Sequence, residues 1–220
     1  CLPSAIVADQ STIEAVEAHN PSDLFRSIPM VATNCRSVGP QDAFDPDSLS
    51  LDPDSLAVLQ YTSGSTSEPK GVMISHRNLM CNLESIRRGF ELEFQDDLTQ
   101  PDCGVFWLPA FHDMGLVGGI LEPLYLGATT VLMSPRDFLQ RPVRWLQCIS
   151  DRRAAISGAP NFAYQLCVDR ISPQQTDGID LSSWRIAFCG AEPILPRTLR
   201  SFGNRFSACG FSASAFYPCY

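Results

Sequence analysis

From Leu56 onward, short apolar runs alternate with longer stretches of helical periodicity, and this alternation limits the possible folds more than any other feature of the sequence. Leu56–Tyr61 predicts a strand, Ser75–Gly89 a helix and Gly104–Leu108 a second strand. His112–Leu126 then predicts a helix, Ala128–Met133 a buried strand, Arg141–Arg152 a helix and Ala154–Ser157 a strand. Pro160–Ile171 predicts a helix with Pro near its first position, followed by a strand at Trp184–Cys189 and a helix at Pro196–Phe206. Because the strands are nearly continuous apolar runs, both of their faces should be covered. The expected fold is therefore α/β, with mostly parallel sheets flanked by helices. Ligands of such sheets lie beyond the carboxyl ends of the strands, so the loops that follow strands should carry the chemistry.

The 220 residues, 45% of them hydrophobic, can bury a sizeable core in one domain or two. Residues 38–54, rich in Pro, Asp and Ser, predict an internal connector between two lobes of one fold. A net charge of −8 argues against a broad basic footprint for nucleic acid or an anionic membrane surface, so any polyanion must be gripped locally. Nine cysteines are scattered without a CxxC pair or a metal-like spacing with the three histidines. Most read as buried thiols of a reducing compartment, with a cytoplasmic location as the default. The opening CLPSAIVADQ has neither a basic segment nor a long apolar run, so it predicts no secretory signal and no membrane span. Starting at Cys1 and ending at Tyr220 straight after an apolar run, the chain reads as a piece of a longer one.

The segment Tyr61–Gly71, YTSGSTSEPKG, concentrates hydroxyls and a cation between two apolar runs. Ser63, Ser65 and Thr66 offer hydroxyl donors, Gly64 lets backbone N–H groups approach an anion, and Lys70 can meet phosphate oxygens as a point charge. By composition alone the segment is more often an ordinary surface loop with an exposed lysine. It is not a GxxxxGK[ST] loop, which needs its Lys beside a hydroxyl at the opening of a helix. The order of its residues resembles the phosphate loop of the adenylate-forming superfamily, whose members couple a carboxylate to AMP and release pyrophosphate. The resemblance implies that Thr62, Ser63, Gly64, Ser65, Thr66 and Lys70 hold ATP. Ser67 stands where the superfamily usually has Gly, and its Cβ restricts the dihedrals of the loop tip.

Further segments resemble one branch of that superfamily, the fatty acyl-AMP ligases. The first is Trp107–Leu121, WLPAFHDMGLVGGIL. His112 follows a predicted strand at the mouth of a predicted helix, where an imidazole can orient a carboxylate or phosphate oxygen, and Asp113 is placed to cap that helix. A histidine satisfied by local hydrogen bonds is the plainer reading of such a residue. The resemblance implies a positioning role for His112 toward the substrate carboxylate. LMSPRDFLQRPVRWLQCIS and SGAPNFAYQLC resemble the same branch. Their aromatic residues, Phe138, Trp145, Phe162 and Tyr164, together with Leu166, suit a core or an acyl tunnel, and the turn at Ser157, Gly158, Ala159 and Pro160 is the expected entrance. FCGAEPI resembles the adenine-binding segment of the superfamily, with Gly190, Ala191 and Glu192 along the base; Glu192 suits a helix entry equally well. FYPCY resembles the lead-in to a later motif and implies that Tyr220 stacks on adenine.

The resemblance covers Leu56 to Tyr220 and implies a partial N-terminal adenylation domain, whose Mg²⁺-holding Glu, ribose-binding Asp and mobile C-terminal domain with its catalytic Lys lie outside this chain, which alone is expected to be inactive. It implies ATP and Mg²⁺ as cofactors, a fatty acid as substrate, and an acyl carrier protein thiol or CoA as acceptor, with the carrier protein favoured. A non-catalytic module that holds nucleotide or lipid is the alternative from another class.

Overall fold

The structure, a computed structural model, describes residues 6–8, 13–15, 18, 30–32, 51–62, 70–94 and 102–219. The chain divides into two units, Cys1–Leu51 and Asp52–Tyr220. In the first, β1 (Ile6–Ala8) and β2 (Met30–Ala32) pair in parallel, with Ile6 opposite Met30. Residues 38–50 of the expected connector lie outside the described residues.

The second unit opens with a hairpin. β3 (Leu56–Thr62) runs antiparallel to β4 (Lys70–Ser75), and Thr62 lies opposite Lys70 at its end. α1 (His76–Gly89) follows without a turn because Ser75 is its N-cap, forming a capping box in which Ser75 and Asn78 satisfy each other's backbone N–H. The Arg77 guanidinium grips both oxygens of Asp54 (2.7 and 3.0 Å), tying the start of α1 to the turn that precedes β3. β4 is an addition to the expected elements, since its apolar residues merge into the helical pattern that follows.

β5 (Cys103–Phe106), β6 (Thr129–Leu132), β7 (Ile156–Ala159), β8 (Ile186–Cys189) and β9 (Phe216–Pro218) form one parallel sheet in the order β6-β5-β7-β8-β9. The connecting helices are α2 (Glu122–Leu126), α3 (Pro135–Gln140), α4 (Val143–Arg152), α5 (Asn161–Arg170) and α6 (Pro196–Phe206). After β5 the chain crosses to β6 on one side and then returns to β7 on the other, so the strand order reverses at β5. Crevices at such reversals are where open α/β sheets take ligands. β6 differs from the expected buried strand: it stands at the sheet edge among the described residues, and Leu132 is 56% exposed. The helix expected over His112–Leu126 is a π-helix at Met114–Leu121 that passes directly into α2. Its residues, MGLVGGIL, are apolar all round, so their pattern does not reveal which helical period they adopt.

The strands alternate their side chains between two buried faces. On one face, Val105, Ala159 and Ala187 meet α4, α5 and α6 through Trp145, Tyr164 and Phe202, in a core that also holds Phe138 and Trp184. Phe138, Trp145 and Tyr164 are therefore core residues here, and Leu166 packs against the same cluster. Helix α6 supplies Thr198, Phe202 and Phe206 at helical spacing. The seven described cysteines are free thiols, but only Cys167 and Cys189 are fully buried. Burial, with Cys219 and Glu192 nearby, pushes the Cys189 thiol up to about 12.

Ser157 is the polar exception within this core. Its hydroxyl donates to Val105 O and accepts from Trp145 Nε1 at 2.8 Å, joining β7, β5 and α4. Ser157→Ala would leave the buried indole N–H without an acceptor. In the complete parent protein it should cost about 1–3 kcal/mol, read as a lower urea midpoint at unchanged slope; a midpoint equal to wild type would show that the bond contributes nothing net.

Candidate functional site

On the opposite face of the sheet lies a cavity of about 720 Å³, bounded by α1, the π-helix, α2 and the ends of the strands. Its walls are mainly apolar: Ile86 and Phe90 of α1, Met114 and Val117 of the π-helix, and Phe106 and Phe188 of the sheet. Phe90 stacks on Phe188 with ring centroids 6.0 Å apart. A cavity of this size, with few polar groups, is suited to a small ligand with an extended apolar part.

His112, Gly190 and Ala191 line this same cavity. His112 follows β5, and its Nδ1 accepts from Met114 N at 3.2 Å or, when it carries a proton, pairs with Asp113 Oδ1 at 2.8 Å. That engagement fixes the ring and leaves Nε2 as the nitrogen able to face a ligand. Asp113 Oδ1 accepts from Met114 N at 2.7 Å at the start of the π-helix. Gly115 lets this helix begin close against the preceding loop, since a Cβ there would sit 2.2 Å from Pro109 O.

Gly190 follows β8 and passes the backbone of Cys219 so closely that a Cβ would lie 2.6 Å from Cys219 O. Ala191 adopts a left-handed conformation with φ of 64°, a strained state for a residue with a Cβ. Both residues bring backbone groups to the cavity. Glu192 is already engaged, because its Oε1 accepts from Phe162 N at 2.6 Å at the start of α5. The helix-entry reading thus describes its contact here, although the helix is α5 rather than the α6 that follows it in sequence.

Glu122 is the polar group that the sequence patterns overlooked. It lines the cavity, is 4% exposed, and neither carboxyl oxygen has a hydrogen-bond partner among the described residues. Burial is the main cause that pushes its carboxyl up to about 7; Arg87 lowers it and Glu84 raises it. Arg87 gives little relief because its guanidinium is already paired with Glu84 (2.8 and 3.0 Å) and bonded to Leu92 O. Glu84 also accepts from Arg88 and Tyr125, and Arg87 and Arg88 hold its own carboxyl down at about 2. The signal in the sequence was a single charge inside the apolar run Met114–Leu126.

The other expected site residues lie elsewhere. Ser157 and Ala159 point into the aromatic core, Gly158 lies beneath the Phe188 ring, and Phe162 is 44% exposed at the start of α5; none of the four lines the cavity. The physical reason is the strand alternation, which sends Ser157 and Ala159 to the opposite face and leaves Gly158 covered. Lys70 is exposed at the first position of β4 and does not line the cavity either. Thr62 ends β3, whereas Ser63, Gly64, Ser65, Thr66, Ser67 and Tyr220 lie outside the described residues. No group of three or more His, Cys, Asp or Glu among the described residues could hold a metal ion, and no described helix is long and apolar enough to cross a membrane.

The Glu122 carboxyl titrates near 7 in the folded chain instead of at its ordinary 4.5. Its contribution to stability is therefore complete below pH 4.5 and is lost as the pH rises through 7, by roughly 3 kcal/mol. Glu122→Gln, which cannot ionise, should remove that part of the pH dependence and raise stability most at pH 8. Unfolding curves of the parent protein at pH 5 and pH 8 check this, and an unchanged difference between the two would contradict it.

Comparison with known proteins places these features in one group. The profile of the AMP-binding enzyme family matches residues 3–218. The chain is 49% identical over 173 residues to the medium-chain-fatty-acid–[acyl-carrier-protein] ligase TtuA of Teredinibacter turnerae, covering 78% of this chain and 26% of that protein. It is 45% identical over 170 residues to the ligase of the same description, JamA, of Moorena producens, covering 77% and 28%. The crystal structure of fatty acyl-adenylate ligase from L. pneumophila, in complex with acyl adenylate and pyrophosphate, superimposes with a TM-score of 0.81 at 40% identity, covering 99% of this chain and 36% of that one. The chain thus spans between a quarter and two fifths of the length of these relatives. Its parallel sheet with helices on both faces matches part of the N-terminal domain of adenylate-forming enzymes, and the chain belongs to the AMP-binding enzyme family.

Proposed function

We propose that the parent protein activates a fatty acid with ATP and passes the acyl group to the phosphopantetheine thiol of an acyl carrier protein. The observation that carries this reading is the apolar cavity whose lining includes both His112 and the Gly190–Ala191 backbone. An acyl chain occupies the space between α1 and the π-helix, and its carboxylate meets Nε2 of His112. The adenine lies along the backbone of Gly190 and Ala191. A carboxylate oxygen attacks the α-phosphorus of ATP, the bond from that phosphorus to the bridging oxygen breaks, and pyrophosphate leaves with the electron pair. Charge builds on phosphate oxygens, so the hydroxyls of residues 62–66 and the Lys70 ammonium act by electrostatic stabilisation. The hairpin supports that role, because pairing of Thr62 with Lys70 pins both ends of the intervening loop. The carrier protein is favoured over CoA as acceptor by the likeness to TtuA and JamA, whose names specify it.

The residues described here fit the nucleotide at one edge, where Gly190 and Ala191 line the cavity. They offer no donor set for Mg²⁺, which takes no part in the roles assigned to them. The medium-chain class of acid is supported by the same two relatives.

The test uses the complete parent protein with a medium-chain fatty acid, Mg-ATP, CoA and a carrier protein, with products identified by mass. Acyl-AMP and acyl-carrier protein without acyl-CoA are expected. Acyl-CoA as the main product would move the protein to the CoA ligases, and absence of any adenylate would point to a non-catalytic module. His112→Ala should lower kcat/KM for the acid by about a hundredfold, and Lys70→Ala should slow adenylation while the thermal unfolding midpoint stays at its wild-type value. Wild-type kinetics in either variant would remove that residue from the mechanism.

A further inference from the structure

We propose that the outer face where α5 and α6 begin is the docking surface for the carrier protein, which it grips by acidic side chains and by the phosphate of the phosphopantetheine arm; this rests on the carrier-protein reading above. The chain has a net charge of −8, yet none of its 24 acids lies between Pro193 and Tyr220, a run that holds Arg197, Arg200 and Arg205. Arg205 is only partly exposed and donates to Ile171 O. Arg197 and Arg200 are exposed on α6, about one turn apart, and neither forms an ion pair among the described residues. Thr198, Phe202 and Phe206 hold the other side of the helix in the core, so both guanidinium groups share its outer side.

Apolar area adjoins these charges. Leu195 is 39% exposed just before α6, and Phe162 is 44% exposed in the first turn of α5. The two helix starts are tied together, because Asn161 Oδ1 accepts from Leu195 N at 2.9 Å and Gln165 Oε1 accepts from Thr198 Oγ1 at 3.0 Å. The acids nearby are already engaged, Glu192 by Phe162 N and Asp169 by Gln165 Nε2. Two exposed apolar side chains beside two unpaired guanidinium groups match a protein partner with an apolar ridge and an acidic rim, whose charges steer the encounter. Arginine also suits the phosphate that joins phosphopantetheine to its carrier, since its planar fork can meet two oxygens. Nucleic acid and anionic membranes need a wider basic footprint than two arginines. Leu195 follows Gly190, which lines the cavity, by five residues. The chain between them spans at most about 18 Å, so a long, extended arm docked at α6 points its thiol toward the carboxyl edge of the sheet.

The experiment measures acyl transfer by the complete parent protein to a panel of phosphopantetheine-bearing acyl carrier proteins, with free pantetheine as an acceptor that lacks the protein surface. The wild type should lose kcat/KM for the carrier at high salt and keep its rate with pantetheine. The double variant Arg197→Glu, Arg200→Glu should raise KM for the carrier by about tenfold, with ATP–pyrophosphate exchange and the pantetheine rate at wild-type values. Arg197→Lys with Arg200→Lys keeps the charge and should recover most of that loss. A carrier KM unchanged by the charge reversal would overturn the proposal while the proposed function stands. So would exchange activity that falls in the same proportion, or an altered unfolding midpoint or oligomeric mass with the carrier KM unmoved, which would assign the face to the rest of the parent chain or to a second copy. Acyl-AMP formation without acylation of any carrier in the wild type would overturn both.

Discussion

Every side chain on the central strands must go to one of two buried faces, and the rest of the structure depends on how that choice is made. Val105, Ser157, Ala159 and Ala187 go to the aromatic core, whereas Gly104, Phe106, Ile156, Gly158, Ile186 and Phe188 go to the other side. The glycines there are required by space. A Cβ on Gly104 would lie 2.5 Å from the Phe106 ring, and one on Gly158 would lie 2.2 Å from the Phe188 ring. The two rings therefore lie down over the sheet, where Phe188 meets Phe90 of α1. A close-packed core on one face and a lined cavity on the other follow from one alternation.

That arrangement also sets where the polar chemistry can be. A cavity walled by helices meets the free backbone polar groups of the sheet at the carboxyl ends of the strands, where the ladder stops. His112 comes from the loop after β5, and Gly190 and Ala191 from the loop after β8. The left-handed Ala191 is a local strain at this edge, retained beside a glycine that the Cys219 backbone leaves no room to replace. Glu122 differs from these groups because it stands within a helix on the wall, remote in sequence from the strand ends.

Much of the fold was legible in the sequence. Pro196–Phe206 is a helix over its whole expected length, and Ser75–Gly89 begins at its Ser cap, because local signals decide both. The strand at Ala154–Ser157 begins two residues later than expected, at Ile156, and the shift carries the motif onto β7 itself. Ser157, Gly158 and Ala159 suggested an open turn by their small size; their neighbours in space, Trp145, Val105 and Phe188, are far away in sequence and make them tightly covered instead. The π-helix was hidden by its uniform apolarity, and Glu122 by the ordinary expectation that a glutamate on a helix faces water. His112, Gly190 and Ala191 line one cavity, since loops after strands converge at one end of a parallel sheet.

The most direct test of the placement is a crystal structure of the complete parent protein bound to a medium-chain acyl-adenylate. The acyl chain is expected between α1 and the π-helix against Phe188, with the adenine beside Gly190 and Ala191 and the former carboxylate next to His112. An acyl chain found on the opposite face of the sheet, among Ser157, Ala159 and Phe162, would contradict it.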